Sequence, residues 1–403
     1  MRVLLSTMGS RGDVEPMVAL AAQLRALGAE VRVCAPPDEE FAERLAGFGV
    51  PLVPVGPPMR PMMAGTEAPS ADDLPMLAVG VIAAQFGAVA AAAEGCDVLV
   101  AAGMIQVAAR SVAEKLGIRY VYTSYCPIML PSPHHSPLEL PDRPDAPDVT
   151  NNRELWDPDG KEFDALFGPA LNAHRASIGL PPVANVREHV FTGSPWLAAD
   201  AVLAPWQEPT SLDVVQTGAW IVPDERPLPA DLEAFLDAGA PPVFVGFGSG
   251  RAPKDAARVA IEAIRAQGHR AVVARGWADL ALIDEGDDCF AVGEVNHQAL
   301  FSRVAAVVHH GGAGTTTKAA RAGVPQVVIP QSVDQPYWAG RVADLGIGVA
   351  HGDPTPTFES LSAALATALA PETRARAATV ADTIRGDGAT VAAKLLLDGP
   401  NPG

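Results

Sequence analysis

Short apolar runs alternate with longer stretches of helical period along nearly the whole chain. Residues 2–7 form a continuous apolar run that reads as a buried strand, 15–27 carry the spacing of a helix, and 30–34 read as the next strand. Gly28 sits where a helix stop is expected. Runs at 97–101 and 119–123 continue the series. Prolines are then dense between 127 and 147, which predicts an irregular segment of the kind that shapes binding sites. A second proline-rich break spans 205–229, after which the alternation restarts. Residues 242–247 read as a strand ending at Gly248-Ser249-Gly250, 255–267 as a helix and 270–274 as a strand. Strand and helix in strict alternation predict a doubly wound parallel sheet, and the restart predicts two of them. A chain of 403 residues also exceeds what one hydrophobic core usually organises. The expected division is 1–204, a linker at 205–229 and a second domain at 230–386.

Composition narrows the partners. A formal charge of −18 argues against nucleic acid or an anionic membrane, both of which favour a basic face. The run 76–93 is long enough to raise a membrane helix, but Gln85 and many small residues interrupt it, so a buried Ala-rich helix and no membrane span are expected. The first strand begins at once, with no signal peptide ahead of it, and a cytoplasmic protein is expected. Cys34, Cys96, Cys126 and Cys289 are scattered without a C-x-x-C pair, which predicts reduced thiols and no zinc site. The adjacent pairs His134-His135 and His309-His310 are poorly spaced to share one ion.

The densest chemistry lies at Val307-Val308-His309-His310-Gly311-Gly312-Ala313-Gly314-Thr315, a strand running into a donor-rich turn that opens a helix. A helix N-terminus presents unpaired N–H groups and about half a positive charge, and glycines let an anion approach the backbone. The alternative is a glycine turn that only packs tightly. Downstream, residues 326–329 form a further strand, followed by Pro330-Gln331-Ser332-Val333-Asp334-Gln335. Turns at the carboxyl ends of parallel strands face one side, so both polar turns are expected at one site. A carboxylate repels phosphate but binds hydroxyls. Asp334 and Gln335 therefore suggest a sugar attached to the phosphate.

These residues carry a resemblance. The opening Met1-Arg2-Val3-Leu4-Leu5 through Gly9-Ser10-Arg11-Gly12-Asp13-Val14-Glu15-Pro16, the segment His174-Arg175-Ala176-Ser177-Ile178-Gly179-Leu180-Pro181-Pro182, the linker Gln216-Thr217-Gly218-Ala219-Trp220 and the turn at His310 together resemble a family 1 glycosyltransferase. The resemblance is nearest to the enzymes that glycosylate vancomycin-group glycopeptide antibiotics, and it spans nearly the whole chain. It implies the GT-B fold, two Rossmann-like doubly wound domains facing a central cleft. Residues 387–403 would then form a closing helix and tail that return to the first domain. It further implies a nucleotide-sugar co-substrate and no metal or other cofactor. On this reading His310 binds the donor diphosphate, with Ser10, Ser249, Gly312 and Thr315 as further donors.

The first turn, 9–16, lacks the G-x-G-x-x-G spacing of a dinucleotide fingerprint, which weakens a nicotinamide reading. Glu15-Pro16 are expected to start the helix, leaving Asp13 in the turn. Many relatives in the wider family carry a histidine base here, whereas the vancomycin-group enzymes use an aspartate in this Gly-Asp context, so Asp13 is the expected base. A helix-capping role for Asp13 is compatible with that. An aspartate with a pKa of about 4 cannot strip a phenol of pKa about 10 in advance, so proton transfer must accompany attack.

The family's nucleobase turn corresponds to Val292-Gly293-Glu294-Val295-Asn296, with Val295 as the contact. Gly293 stands where plant relatives have a stacking tryptophan, and Trp277 either compensates or is a core residue. Uracil and thymine are not distinguished. Met59, Met62, Tyr125, Met129 and His134 are the acceptor-side candidates, the methionines offering soft surfaces for a rigid aromatic aglycone. The expected function is inverting transfer of a hexose, glucose first, from a UDP- or dTDP-sugar to a glycopeptide phenol by a monomer. Polyketide or other aromatic acceptors, a nucleotide-sugar epimerase and a non-catalytic auxiliary protein are the alternatives.

Overall fold

The computed structural model describes residues 1–64, 72–138, 151–253, 255–284 and 286–399. Of the proline-dense stretch expected at 127–147, residues 139–147 lie outside the described residues. The chain forms two compact units, one comprising Met1–Asp200, Pro205–Val222 and the segment starting at Gly386, the other Ala201–Ala204 and Pro223–Arg385.

The first unit contains a seven-stranded sheet. Its strands are β1 (Arg2–Thr7), β2 (Glu30–Ala35), β3 (Leu52–Pro54), β4 (Val98–Ala102), β5 (Arg119–Ser124), β6 (Trp196–Leu197) and β7 (Val215–Gln216). Their order is β3-β2-β1-β4-β5-β6-β7, with every pairing parallel. The apolar runs expected to be buried are buried: Leu4, Leu5, Leu99 and Val100 have no exposed surface. The second unit holds six strands, β8 (Val243–Gly246), β9 (Ala271–Ala274), β10 (Cys289–Val292), β11 (Ala306–His309), β12 (Gln326–Val328) and β13 (Gly348–Ala350). Their order is β10-β9-β8-β11-β12-β13, again all parallel. In each sheet the winding direction reverses once, between β1 and β4 and between β8 and β11. Such switch points are where doubly wound sheets bind ligands, at the carboxyl ends of the strands.

Two local readings are corrected. The helix expected from residue 15 runs Arg11–Ala26, because Ser10 is extended and serves as its N-cap. Asp13 is therefore the third residue of the helix, and Pro16 lies inside it rather than opening it. The stop at Gly28 is as expected, with a left-handed φ of 87°.

The second correction concerns the apolar stretch at 76–93. It forms the helix Leu74–Ala93, with only 33% of its most apolar window buried. By length and composition alone that helix could cross a membrane. Ala78, Ile82, Gln85, Val89 and Ala92 form one buried stripe, in which Val89 and Ala92 pack with Leu4 and Leu99 of the sheet, and Ala78 and Ile82 with Phe167 and Leu171 of the helix Asn152–Ser177. Met76 is 75% exposed and Val79 54%, both lying off that stripe. Gln85 is polar for a reason: its Nε2 donates to the Ile105 carbonyl at 2.6 Å and its Oε1 accepts from the Ala108 N–H at 2.9 Å. The helix is thereby fixed to the turn after β4.

The closing helix, expected within 387–403, is Gly388–Asp398, and Gly388 is there by necessity. A Cβ on Gly388 would stand 2.4 Å from the carbonyl carbon of Gly218, so the linker and the C-terminal helix pack backbone against backbone. Arg175, of the His174-Arg175 motif, is also structural. It is 2% exposed and satisfied by Glu114 at 2.7 Å, the Ser111 hydroxyl at 2.8 Å and the Pro181 carbonyl at 2.8 Å. A buried guanidinium needs such partners.

Candidate active site

Each unit carries a polar turn at its own switch point, and each is described within its own unit. In the first, β1 ends at Thr7, and the chain turns through Gly9 and Ser10 into the Arg11 helix. The Asp13 carboxylate folds back to accept the Ser10 N–H at 3.0 Å, while the Asp13 N–H donates to the Ser10 carbonyl at 3.0 Å. Capping is thus real, and Oδ1 lies on the side of Gly103, across the switch point. A Cβ on Gly103, in the turn after β4, would stand 3.5 Å from Asp13 Oδ1. Gly103 keeps that approach open, and its φ of 98° suits glycine alone. Asp13 is partly exposed, as a group that meets substrate must be. Tyr125, expected on the acceptor side, donates its hydroxyl to the Asp13 carbonyl at 3.1 Å.

In the second unit the two histidines play separate parts. His309 is fully buried. Its Nδ1 accepts the Gly311 N–H at 3.0 Å, which leaves Nε2 to donate to Gln326 Oε1 at 2.9 Å. Burial pulls its imidazole down to about 3, so it is a neutral strut between β11 and β12. His310 lies at the turn, enclosed by glycines from both sides of the switch point. A Cβ on Gly312 would stand 2.7 Å from its Nε2, one on Gly248 3.1 Å from its Cε1, and one on Gly250 3.5 Å from its Cδ2. Burial pulls His310 down to about 4, against a weaker opposing pull from the Gly246 backbone. At neutral pH the ring is an uncharged hydrogen-bond donor. Gly248 and Gly250 were legible in the sequence only as a turn, because nothing local says that their missing side chains make room for a histidine far along the chain.

The Gly312 cap opens the helix Ala313–Arg321. Thr316 and Thr317 spend their hydroxyls on the Gly312 and Ala313 carbonyls, at 3.0 and 2.7 Å. The half-buried Thr315 shows no such bond to its own helix among the described residues. Ser249 is also half-buried, in the turn after β8. Replacing Gly312 with alanine should displace the His310 ring without straining the backbone, whose φ there is −61°. Turnover should fall about tenfold or more with an unchanged melting temperature. Kinetics and thermal melts check this, and wild-type turnover would mean the ring position is unimportant.

The turn at 330–335 does meet the His310 turn within the second unit. Gly311 packs against the start of the helix Gln335–Asp344, where an added Cβ would lie 3.1 Å from the Gln335 carbonyl. Both side chains expected to bind sugar are already anchored. Asp334 accepts the Trp338 indole N–H at 2.8 Å, and Gln335 Oε1 accepts the Gln331 N–H at 2.7 Å. Burial raises the Asp334 carboxyl, opposed by that indole bond. Each retains acceptor or donor capacity for a hydroxyl. The same helix carries Arg341, which donates to the Leu203 and Val202 carbonyls at 2.8 and 3.1 Å.

Other expected contacts fall unevenly. The Val295 side chain is 7% exposed and packs with Val292, Leu300 and Phe301 in the core. Trp277 is 9% exposed, and its N–H donates to the Gly248 carbonyl at 2.9 Å, beside the His310 enclosure. Met59 N–H is held by Asp38 at 2.7 Å, whereas Met62 is exposed and Met129 half-buried. His134 is exposed, and its neighbour His135 instead meets the Trp156 and Trp206 rings edge-on. Among the described residues no cluster of three or more His, Cys, Asp or Glu side chains could hold a metal ion.

Two parallel doubly wound units with polar turns at their switch points define the GT-B class of glycosyltransferases. The glycosyltransferase from the kitacinnamycin system superposes with a TM-score of 0.73 at 21% identity, covering 98% of both chains. The glycosyltransferase VinC, solved with dTDP, gives 0.70 at 21% identity over 99% of each. Residues 3–130 match the family model described as glycosyltransferase family 28 N-terminal domain, and 275–392 the one described as erythromycin biosynthesis protein CIII-like, C-terminal domain. Vancomycin aglycone glucosyltransferase of Amycolatopsis orientalis is 60% identical over 99% of this chain and 97% of its own length. Glycosyltransferase GtfE of the same organism is 61% identical over 98% and 97%. The dTDP-epi-vancosaminyltransferase is 55% identical over 99% and 97%. The chain belongs to the vancomycin-group glycosyltransferases.

Proposed function

We propose that this glycosyltransferase moves a hexose, glucose in the first place, from a UDP- or dTDP-sugar to a phenolic hydroxyl of a vancomycin- or teicoplanin-type aglycone. The carrying observation is a carboxylate at one switch point and a glycine-enclosed imidazole at the other, in a chain 60% identical to an aglycone glucosyltransferase. Asp13 accepts the phenol proton as the oxygen attacks the anomeric carbon. The departing diphosphate takes hydrogen bonds from His310, from N–H groups at the start of the Ala313 helix, and from Thr315, Ser249 and Ser10. A neutral imidazole suits this role, because it donates without costing the burial of a charge, and an approaching diphosphate draws its pKa upward. Asp334 and Gln335 orient the sugar hydroxyls, and the Val295 backbone with Trp277 receives the base. Met59, Met62, Met129 and His134 lie on the acceptor side.

With charge neutralised by N–H donors and a helix dipole, the reaction is proposed to run without metal, in the cytoplasm, on a monomer. One alternative donor has a specific observation behind it, since the dTDP-epi-vancosaminyltransferase relative is nearly as similar at 55%. An aminosugar is thus the second reading for the donor. A single displacement with one base inverts the anomeric centre. An α-linked glucosyl donor should therefore yield only the β-glucoside, read by the anomeric proton coupling in NMR of the product. An α product would exclude the single-displacement mechanism.

A further inference from the structure

Asp13 sits in a helical turn that is weaker than it looks. Pro16 has no N–H, so the Gly12 carbonyl loses its helical partner, and the proline ring presses against that carbonyl. The next carbonyl, that of Asp13, receives the Tyr125 hydroxyl at 3.1 Å. Tyr125 directly follows β5, where the Ser124 hydroxyl donates to the Cys126 carbonyl at 2.8 Å and closes the turn. Burial and then the Asp13 charge push the Tyr125 phenol well above 10, so its proton stays on to be donated. On its other side the ring meets Trp220 edge-on, with centroids 6.2 Å apart. Trp220 is 4% exposed, and its indole N–H donates to the Thr217 hydroxyl at 3.0 Å. Both belong to the Gln216-Thr217-Gly218-Ala219-Trp220 motif, two residues ahead of the end of the first unit at Val222.

We propose that Tyr125 is a positioning residue: its hydroxyl fixes the Asp13 turn at the backbone, and its ring, through Trp220, ties that turn to the linker motif. The inference rests on the reading of Asp13 as the base. It replaces the expectation that Tyr125 belongs to the acceptor surface.

Tyr125→Phe removes the hydroxyl and keeps the ring. It should lower kcat about tenfold, with donor and acceptor KM within about twofold of wild type and an unchanged melting temperature. Trp220→Phe, which keeps an aromatic ring but loses the indole N–H and part of the packing, should lower kcat about threefold. A double-mutant cycle then isolates the route. In the Asp13→Asn background, Tyr125→Phe should cost nothing further. An equal loss in both backgrounds would show that Tyr125 acts independently of Asp13, and a raised acceptor KM with normal kcat would return it to the acceptor surface. Wild-type kcat in Tyr125→Phe would also overturn the proposal. The underlying reading is judged separately, by Asp13→Asn alone: wild-type turnover there removes the base, and the proposal with it.

Discussion

Asp13→Asn is expected to lower kcat by about 10²-fold or more while leaving nucleotide affinity nearly unchanged. Asparagine is the informative choice because Asp13 has two roles. Its carboxylate accepts the Ser10 N–H, a cap whose loss costs about 0.5–2 kcal/mol of stability. The asparagine carbonyl can keep that bond but cannot take a proton. Asp13→Ala removes both, so it should match Asp13→Asn in turnover and melt lower. Turnover and thermal melts of the two variants therefore separate catalysis from capping. Equal turnover of wild type and Asp13→Asn would remove Asp13 from the mechanism, whatever the melts show.

The second large effect is expected at His310. Replacement with alanine should weaken UDP or dTDP binding about tenfold and lower turnover further, because the lost donor serves the diphosphate as its charge grows. Calorimetry of the nucleoside diphosphate with the variant checks the binding half. Unchanged affinity would displace the diphosphate from this turn. The variant also has a pH signature. His310 falls from 6.5 in the unfolded chain to about 4 in the fold, so as pH drops below about 6.5 the unfolded state takes up the proton first. Wild-type stability therefore declines between about pH 6.5 and 4. Removing His310 should make that decline shallower, while His309 and His189, held near 3 and 4 by burial, preserve the rest.

Fold class was legible because parallel sheets covered on both faces leave continuous apolar runs, and the proline-rich interruption with its restart is visible as composition. The motif at His310 was legible for a similar reason: strand, turn and helix start are consecutive in the chain. What the chain could not show are contacts between turns far apart in sequence. The glycines at 248 and 250 around the His310 ring and Gly103 facing Asp13 come from strands paired only in the sheet, and the Tyr125 hydroxyl reaches the Asp13 carbonyl from two strands away. The helix start was misplaced because Glu15-Pro16 looks like a first turn, whereas the extended Ser10 and the Asp13 carboxylate start the helix four residues earlier. The Leu74 helix misled in another way. Its composition is apolar on every side, yet burial depends on what packs against each face, and the one fully buried stripe is covered by the sheet at one end and by the helix Asn152–Ser177 at the other.

The most direct test incubates the purified protein with vancomycin- and teicoplanin-type aglycones and a panel of UDP- and dTDP-hexoses, with and without EDTA, and reads the aglycone by mass spectrometry. A single hexose-mass adduct that survives EDTA and disappears in Asp13→Asn is expected. An adduct abolished by EDTA, or sugar nucleotide isomerised with the aglycone unchanged, would contradict metal-independent transfer with Asp13 as base.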